Sequence, residues 1–305
     1  MLDQPLPQRN RPFRFGVVSG AAGSAEDWLA RARRVEALGY DTLVVPDNLA
    51  HLFAPFLALT AAAVATTRLR LGTYVLANDF RSPVLVAKDT ATLDALSGGR
   101  CELGLGAGRP ASAAENAMLG LPFDSGGVRV ARLGQALDII TALLAGERVS
   151  VDGPYYHLED ATVGPRPPQQ PHPPLLVAGS GRRMLALAAR KADIVALGVG
   201  PQGTEDAVAD MIDWLRAAAP ERFAHLELNL NLMAVGGQLP SYLARMGMNA
   251  EQLARSGSVA AISGTLDEMC AQLERRRETL GISYLVVGDE LMESFAPVAA
   301  RLAGR

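Results

Sequence analysis

Short apolar segments alternate with longer amphipathic segments along most of this 305-residue chain. Eight of the short segments have the composition of strands, and helical segments separate nearly all of them. The eight segments are 13–18, 43–45, 69–76, 101–105, 175–178, 194–197, 226–232 and 284–287. Such alternation predicts parallel strands joined by helical crossovers, and eight units predict an α/β fold of the (β/α)8-barrel class. A doubly wound open sheet has the same alternation, so the pattern alone leaves that alternative open.

The helical segments begin and end at residues that favour helix ends. The first helix starts at Ser24 and stops before Gly39, and Thr265–Glu268 has the sequence of a capping box. Ser82–Pro83 is an N-cap and first-turn pair, and Gly98–Gly99 closes the helix that follows it. The remaining helices are predicted at 55–65, 128–145, 182–190, 205–218 and 291–302.

The alternation breaks between Glu147 and Pro174. Six prolines lie between Pro165 and Pro174 and exclude regular structure there. Because the alternation resumes at once at Leu175, we interpret the stretch as an extended surface connection and not as a domain linker. The chain is therefore predicted to be a single domain, 1–305, with an inserted segment. Its first twelve residues, 1–12, are expected to be a flexible tail.

The segment 226–232 has a strict period of two. Leucines occupy one face, and Glu227, Asn229 and Asn231 occupy the other. In a barrel, those three side chains would point into the lumen. A strand at the edge of a sheet, with one wetted face, would show the same pattern.

Charge and cysteine content exclude several classes of protein. A net charge of −3 gives no electrostatic support for a nucleic-acid or membrane-surface partner, and no apolar run is long enough to span a bilayer. Cys101 and Cys270 are far apart and the four histidines are scattered, so we expect no disulfide framework and no metal site. The polar start of the chain has no signal-peptide core, and the prediction is a cytoplasmic protein.

The strongest local signal for a ligand follows the fifth strand. Gly179, Ser180 and Gly181 lead into a helix whose first residues are Arg182 and Arg183. Small residues allow a ligand to approach the backbone, and helix N-terminal N–H groups attract anions, so a phosphate fits. A tight strand-to-helix turn needs glycines for its dihedral angles as well, and the sequence does not separate the two interpretations.

Other strand ends carry weaker signals. Asp47 and Asn48 follow the second strand, although Asp-Asn pairs are more often turns or helix caps. His51 is a possible proton carrier or simply a solvated side chain. The glycines of 104–108 resemble a dinucleotide fingerprint only loosely, and close packing of a barrel strand explains them as well. Since no nucleophile set is discernible, the pattern favours a bound cofactor that supplies the chemistry.

Several motifs, taken in order, carry a family resemblance. They are Glu36–Asp41 with Val44–Asn48, Leu71–Leu76 with Phe80–Pro83, Ala91–Arg100 with Leu103–Gly108, the proline-rich stretch into Leu175–Gly181, and Gly264–Glu268 before Ile282–Val287. Together they resemble the bacterial luciferase-like family of flavin and deazaflavin enzymes, and most closely its actinobacterial branch that uses coenzyme F420. The likeness extends over almost the whole chain, from Phe13 to Leu302.

The resemblance implies a (β/α)8 barrel with an inserted segment that binds F420, or alternatively FMN, at the carboxyl ends of the strands. It implies a non-prolyl cis peptide between Tyr74 and Val75 behind the cofactor ring. The remaining implied positions are Ala107 and Gly108 at the ring edge, the cofactor phosphate at Gly179, Ser180 and Gly181, and Gly198 among the cofactor-binding residues.

Two positions depart from relatives that oxidise sugar phosphates. Those relatives have His where this chain has Asn48, and Glu where it has Arg109. Because an amide and a guanidinium cannot act as general bases at neutral pH, the departures argue against oxidation of a sugar hydroxyl by the same residues. Asp47, Asn48 and Arg109 are the predicted catalytic set, with Arg109 suited to a carboxylate or phosphate.

We therefore predict an oxidoreductase that transfers hydride between F420 and a small organic substrate. The alternatives are an FMN-dependent monooxygenase, served by a partner enzyme that reduces the cofactor, and a non-catalytic protein that binds a flavin or deazaflavin. The exterior helices of a barrel commonly pair, so a homodimer is expected.

Overall fold

The computed structural model describes residues 11–20 and 22–305. Its strands are β1 (Arg14–Val18), β2 (Thr42–Val45), β3 (Arg70–Thr73), β4 (Leu76–Ala77), β5 (Cys101–Gly106), β6 (Val149–Asp152), β7 (His157–Ala161), β8 (Leu175–Gly179), β9 (Ile194–Leu197), β10 (Glu227–Leu232), β11 (Ala234–Val235), β12 (Ala261–Ile262) and β13 (Ile282–Gly288). Its helices are α1 (Ala25–Ala37), α2 (Pro55–Ala65), α3 (Pro83–Ser97), α4 (Ala113–Met118), α5 (Gly126–Leu144), α6 (Arg182–Lys191), α7 (Glu205–Ala218), α8 (Pro220–Phe223), α9 (Ser241–Arg245), α10 (Ala250–Arg255), α11 (Leu266–Leu280) and α12 (Met292–Leu302).

All eight predicted strands are present, and the fold is the predicted (β/α)8 barrel. The third strand consists of two pieces, β3 and β4, with Tyr74 and Val75 between them. The strand order is β3-β2-β1-β13-β10-β9-β8-β5-β4, and β3 also pairs with β5. Because the order returns to its starting strand, the topology is that of a closed sheet, and the doubly wound open sheet is excluded.

The chain divides into two compact units. The first contains the described residues of Met1–Ser19, Arg34–Leu43 and Gly179–Arg305, and the second those of Gly20–Arg33 and Val44–Ala178. In the first unit, β1, β13, β10 and β9 are neighbours and all their pairings are parallel. Phe15 packs on Phe13 and Phe295, with ring centroids 5.7 and 5.4 Å apart.

The polar face of β10 is not the wetted face of an edge strand. Asn229 is fully buried and Glu227 is nearly so, while the leucines on the opposite face are also buried. Since β10 has a neighbour on each side, the edge-strand interpretation is wrong. Glu227 accepts hydrogen bonds from Arg14 at 2.8 and 3.0 Å, and this ion pair compensates its buried charge.

In the second unit, β5 is paired in parallel with β3, β4 and β8. A Cβ atom at Gly104 would collide with the backbone oxygen of Thr73, and one at Gly106 would lie 2.9 Å from Val75. The Thr73 hydroxyl also donates to the Gly104 carbonyl at 2.8 Å. The glycines of β5 therefore allow close strand packing. Of the two interpretations of this motif, the packing of a barrel strand holds, and not the dinucleotide fingerprint.

Four features differ from the prediction or lie outside the described residues. The segment after Glu147 contains an antiparallel hairpin, β6 and β7, although the proline stretch after it has no regular structure. The loop after β10 folds into β11, α9, α10 and β12. Ser82 occupies the N-cap position of α3 but its side chain makes no capping hydrogen bond, whereas Ser24 and Thr265 do cap. Of the expected flexible tail, residues 1–10 lie outside the described part of the chain.

The chain's remaining local signals are confirmed. Gly98 ends α3 in a left-handed conformation, and Thr265 and Glu268 form the predicted capping box of α11. No helix in the described residues is long and apolar enough to cross a membrane.

Candidate active site

In the second unit, the predicted site residues lie in the segments that follow β2, β4 and β5. Asp47 lies just after β2, and its side chain is 2% exposed. It forms a two-point ion pair with Arg81, with N–O distances of 2.5 and 3.0 Å. The backbone N–H of Ala77 donates to the same carboxylate at 3.1 Å. Asp47 therefore ties β2 to the segment after β4. The contacts give it a positioning role in this chain and leave little of its carboxylate for other partners.

Asn48 is tied to a residue that the sequence analysis did not single out. Its amide Nδ2 donates to Glu115 Oε1 at 2.9 Å, and its Oδ1 accepts the backbone N–H of His51 at 2.8 Å. Glu115 Oε1 also accepts the N–H of Leu49 at 2.8 Å. Glu115 therefore organises the loop after β2 from α4, which belongs to the segment after β5. The His51 side chain is exposed.

The segment after β5 is held by a buried arginine. Arg129 donates to the carbonyls of Ala107 and Gly108 at 2.6 and 2.7 Å, and its guanidinium lies 4.1 Å from the centre of the Phe123 ring. Gly108 has φ +75°, which favours glycine. Arg109 itself is exposed at the end of this rigid segment. The residue is therefore accessible to a ligand.

Tyr74 and Val75 lie between β3 and β4 and are both partly exposed. Their peptide bond is cis, which confirms the expectation that the family resemblance gave. Burial raises the pKa of the Tyr74 hydroxyl, so the side chain is neutral across the ordinary pH range.

A cavity of about 330 Å³ lies beside the segment after β4. Arg132 in its wall donates to both oxygens of Asp79 at 2.8 and 2.9 Å and to Asp124 at 2.8 Å. These hydrogen bonds, above all those to Asp79, raise the pKa of Arg132. The Tyr156 hydroxyl accepts a hydrogen bond from Asn78 at 3.1 Å. The charges of Arg132 and Asp79 in the wall of this cavity are thus paired within the chain.

In the first unit, the glycines of the turn after β8 have different reasons for being glycine. A Cβ at Gly179 would collide with the Met184 side chain, whereas a Cβ at Gly181 would meet no atom within 4 Å. Gly198 donates its N–H to the Gly179 carbonyl at 2.9 Å and packs against that backbone. Gly179 and Gly198 are therefore required by packing, while Ser180 and Gly181 form the exposed part of the turn.

The N-terminus of α6 at this turn lacks a side-chain cap. Gly181 is the N-cap residue, and among residues 11–20 and 22–305 no side chain accepts the N–H groups of the first turn. The first two residues of the helix are Arg182 and Arg183, both exposed, and Arg182 lies 4.9 Å from the centre of the Trp214 ring. Positive side chains here oppose the helix dipole, so a bound anion would stabilise this end. The donors present fit the phosphate of a cofactor.

The neighbouring helix, α7, begins differently. Thr204 caps it through Ala207, and Glu205 in its first turn receives hydrogen bonds from Arg275 at 2.8 Å and from Arg276 at 3.0 Å. The hydrogen bonds from Arg275 are the largest cause that lowers the pKa of Glu205 to about 2. These residues line a polar cavity of about 430 Å³.

The predicted residues thus fall into two groups. Asp47, Asn48, Tyr74, Ala107 and Arg109 belong to loops of the second unit that are connected by hydrogen bonds, with Val75 and Gly108 beside them. The turn residues and Gly198 belong to the first unit.

The residues that fix the loops were not predicted from the sequence; they are Arg81, Glu115, Arg129 and Arg132. Arg81 had a signal, because it lies in the Phe80–Pro83 motif. The other three lie on helices where a charged residue is ordinary, and only their contacts distinguish them. In the described residues, no three His, Cys, Asp or Glu side chains come close enough to hold a metal ion.

Comparison with known proteins gives one family match. The model of a family described as luciferase-like monooxygenase matches residues 11–283. The matched span contains every predicted site residue.

Sequence relatives and solved structures agree with this match. The F420-dependent glucose-6-phosphate dehydrogenase of Beutenbergia cavernae is 42% identical over 190 residues, which cover 59% of this chain and 55% of the relative. The chain thus spans about half the length of the curated relatives it matches. The coenzyme F420-dependent tetrahydromethanopterin reductase of Methanopyrus kandleri superposes with a TM-score of 0.74 at 20% identity, covering 96% of this chain and 100% of that one. A monooxygenase from Streptomyces bottropensis also gives 0.74, at 22% identity and 94% and 99% coverage.

Proposed function

Because this chain belongs to the luciferase-like monooxygenase family, whose model matches residues 11–283, we propose that it is an oxidoreductase that transfers hydride between coenzyme F420 and a small organic substrate. The observation that carries the proposal is the open start of α6. It offers backbone N–H groups and two arginines to an anion, and no residue in the described part of the chain supplies an acidic partner there. The sequence relatives named as F420-dependent enzymes support the choice of cofactor.

In this proposal each group of residues binds one part of the cofactor. Ser180, Gly181 and Arg183 bind the phosphate of the tail, while Gly179 and Gly198 hold the turn in shape. Tyr74 and Val75 contact the ring, and Ala107 and Gly108 border its edge. When bound, a deazaflavin supplies hydride transfer and reacts poorly with oxygen, which predicts a dehydrogenase or reductase.

The protein's own contribution is to bind and orient. Asp47 keeps Arg81 and the segment after β4 in place, and Arg129 fixes the carbonyls of Ala107 and Gly108. Arg109, exposed beside this fixed segment, recognises an anionic group of the substrate or of the cofactor tail. Unchanged affinity for both in an Arg109→Ala variant would contradict that role.

Titration with each cofactor tests the proposal. The purified protein is titrated with F420 and with FMN, with intrinsic tryptophan fluorescence as the signal, and any chromophore released on denaturation is identified by its spectrum. We expect F420 to bind at least ~10-fold more tightly than FMN. Tighter binding of FMN would contradict the proposal.

A two-component FMN monooxygenase is the second candidate, favoured by the description of the family and by the monooxygenase among the similar structures. That function needs a partner enzyme that reduces the cofactor, and it predicts oxygen consumption with reduced FMN.

A non-catalytic binding protein is the third candidate. It predicts that F420 binds without turnover on a broad panel of alcohols, aldehydes and ketones.

We also propose a homodimer in the cytoplasm, with a small molecule as substrate and no nucleic-acid or membrane partner. The α2 helix has no charged residue and exposes Leu57 and Val64, by 75% and 86%. On α3, which contacts α2, Leu85 and Leu96 are exposed as well. The exposed apolar side chains of these two helices suit a second copy of the chain. In sedimentation experiments, Leu57→Asp should yield monomers, whereas Met246→Asp, at an exposed position of the first unit, should not.

A further inference from the structure

The segments after β2, β4 and β5, residues 46–54, 78–82 and 107–125, contain four carboxylates, and the structure describes all of these residues. Arginines hold three of them. Asp47 is paired with Arg81, and Arg132 is shared by Asp79 and Asp124. Each of these three carboxylates thus already has a charged partner within the chain. The fourth is Glu115.

Glu115 has no arginine or lysine partner among the described residues. Its Oε1 accepts the two hydrogen bonds from the loop after β2, one from Asn48 Nδ2 at 2.9 Å and one from the Leu49 N–H at 2.8 Å. Its Oε2 has no hydrogen-bond partner in the part of the chain that the structure describes. The side chain is only partly exposed. One oxygen therefore orients the carboxylate, and the other is available.

The strand order places this contact at the third strand. β2 is next to β3, and β5 is paired with both β3 and β4. Tyr74 and Val75 lie between β3 and β4, and β2 and β5 are the neighbours of this strand. The contact between Asn48 and Glu115 therefore connects the loops that follow those two neighbouring strands. Tyr74 and Val75 are the residues that, in the proposed function, contact the cofactor ring.

We propose that Glu115 is a catalytic residue that exchanges the hydroxyl proton of a small alcohol substrate. The inference rests on the proposed function. As the alcohol is oxidised, its O–H bond breaks and the proton passes to Oε2, while the C–H bond breaks and its electron pair leaves with hydrogen as hydride for the oxidised deazaflavin. The electron pair of the former O–H bond completes the carbonyl group. The reverse reaction returns the proton from Glu115 to the oxygen.

The substrate class follows from what surrounds Glu115. Neither Asn48 nor Arg109 can accept a proton at neutral pH, and Asp47 is committed to Arg81. A carboxylate that can accept a proton is useful where hydride leaves a carbon that bears a hydroxyl. The other charged or titratable groups in the segments around it are Asp47, His51, Asp79, Arg81, Arg109, Asp124, Arg129 and Arg132.

The test compares Glu115→Gln with Glu147→Gln, a control at an exposed glutamate of the same unit. Gln retains an oxygen that can accept the hydrogen bonds from Asn48 and Leu49, so the loop is preserved. Single-turnover rates with a panel of small primary and secondary alcohols are measured from pH 5 to 9, together with the dissociation constant of F420. A readout independent of turnover is the pH dependence of the affinity of the F420 complex for trifluoroethanol, a hydroxyl-bearing probe.

We expect Glu115→Gln to lower the rate at least ~100-fold, to remove the acidic limb of the pH profile and to leave F420 affinity within about twofold. Trifluoroethanol affinity should weaken at acidic pH in the wild type and in Glu147→Gln, and be independent of pH in Glu115→Gln. An acidic limb that persists in Glu115→Gln would overturn the inference.

A second variant keeps the proposal falsifiable if the carboxylate only ties the loops together. Asn48→Ala breaks the same contact but retains the carboxylate, so it should keep an acidic limb. Identical profiles for Asn48→Ala and Glu115→Gln would therefore overturn the inference. Wild-type protein that does not bind F420 would instead overturn the proposed function, and this inference with it.

Discussion

Two helices of the first unit, α6 and α7, follow strands of the same sheet, but their first turns are completed in opposite ways. α7 starts with a threonine cap and an acidic residue that two arginines clamp. α6 starts at a glycine, lacks a side-chain cap and has two exposed arginines in its first turn. At the N-terminus of α7, acidic side chains of the chain itself complement the positive end of the helix dipole. At the N-terminus of α6, two arginines add further positive charge to that end. The difference indicates which of the two starts is built for an anion from outside.

The largest expected effect concerns the clamp on α7. Glu205→Ala would leave Arg276, whose side chain is only 6% exposed, without its carboxylate, and should lower the free energy of unfolding by about 3 kcal/mol. Urea denaturation measures the loss, with Glu278→Ala as the exposed control on the same helix as Arg276. Equal stability of both variants would show that the ion pair of Glu205 with Arg276 does not stabilise the start of α7.

The lowered pKa of Glu205 makes the free energy of unfolding depend on pH. The pKa of Glu205 is lowered to about 2, so the ion pair contributes stability that is fully present above the ordinary value of 4.5 and is lost as the pH falls towards 2. Between about pH 5 and pH 2, the free energy of unfolding should therefore fall less in Glu205→Ala than in the wild type. Parallel curves for the two proteins would contradict this assignment.

The next effect separates the two glycines of the α6 turn. Gly179→Ala would bring a Cβ into the Met184 side chain and should cost about 2 kcal/mol of stability. Gly181→Ala enters open space at a negative φ and should change stability by less than about 0.5 kcal/mol. Thermal unfolding compares them, and a Gly179→Ala/Met184→Ala double variant should recover part of the loss. Equal destabilisation would show that both glycines serve packing.

The third effect is on affinity. Arg183→Glu should weaken F420 binding about tenfold, or about 1.4 kcal/mol, because it reverses a charge beside the open N–H groups. Arg190→Glu, at an exposed position near the other end of the same helix, should leave the affinity unchanged. Fluorescence titration at low and high salt gives both values. An equal loss in both variants would indicate a general effect of charge and not a phosphate site.

The smallest effect concerns the cap itself. Thr204→Ala should lower the free energy of unfolding by about 1 kcal/mol, since it removes a side-chain cap. Ser180→Ala, at an exposed position of the other turn, should be neutral for stability and weaken only ligand binding. A marked loss of stability in Ser180→Ala would show that the α6 turn, too, is completed by the chain.

The fold was accessible from the sequence because each strand and most helices carry local signals. Eight apolar runs, the capping box at 265–268 and the glycine stop at Gly98 all depend on residues close together in the chain. The hairpin of β6 and β7 was missed because β6 has only four residues, and because β7 is mostly exposed and lacks an alternating apolar pattern.

The candidate site was only partly accessible. The α6 turn could be found because its glycines and arginines are consecutive. The contact between Asn48 and Glu115 joins residues 67 positions apart, and the pair of Asp47 with Arg81 spans 34. Neither pattern has a period or a spacing that identifies it. Which of several loop carboxylates stays unpaired is decided by tertiary contacts alone.

The close approach of β3 and β5 has a practical consequence for altering this protein. A larger side chain at Gly104 would collide with the backbone oxygen of Thr73, and one at Gly106 would collide with the side chain of Val75. In a library of random variants made to change substrate selectivity, most substitutions at Gly104 and Gly106 would therefore disturb the packing of the strands. Diversity is better concentrated on exposed positions such as Leu119, Leu121 and Arg109, where new side chains can be accommodated without moving the strands.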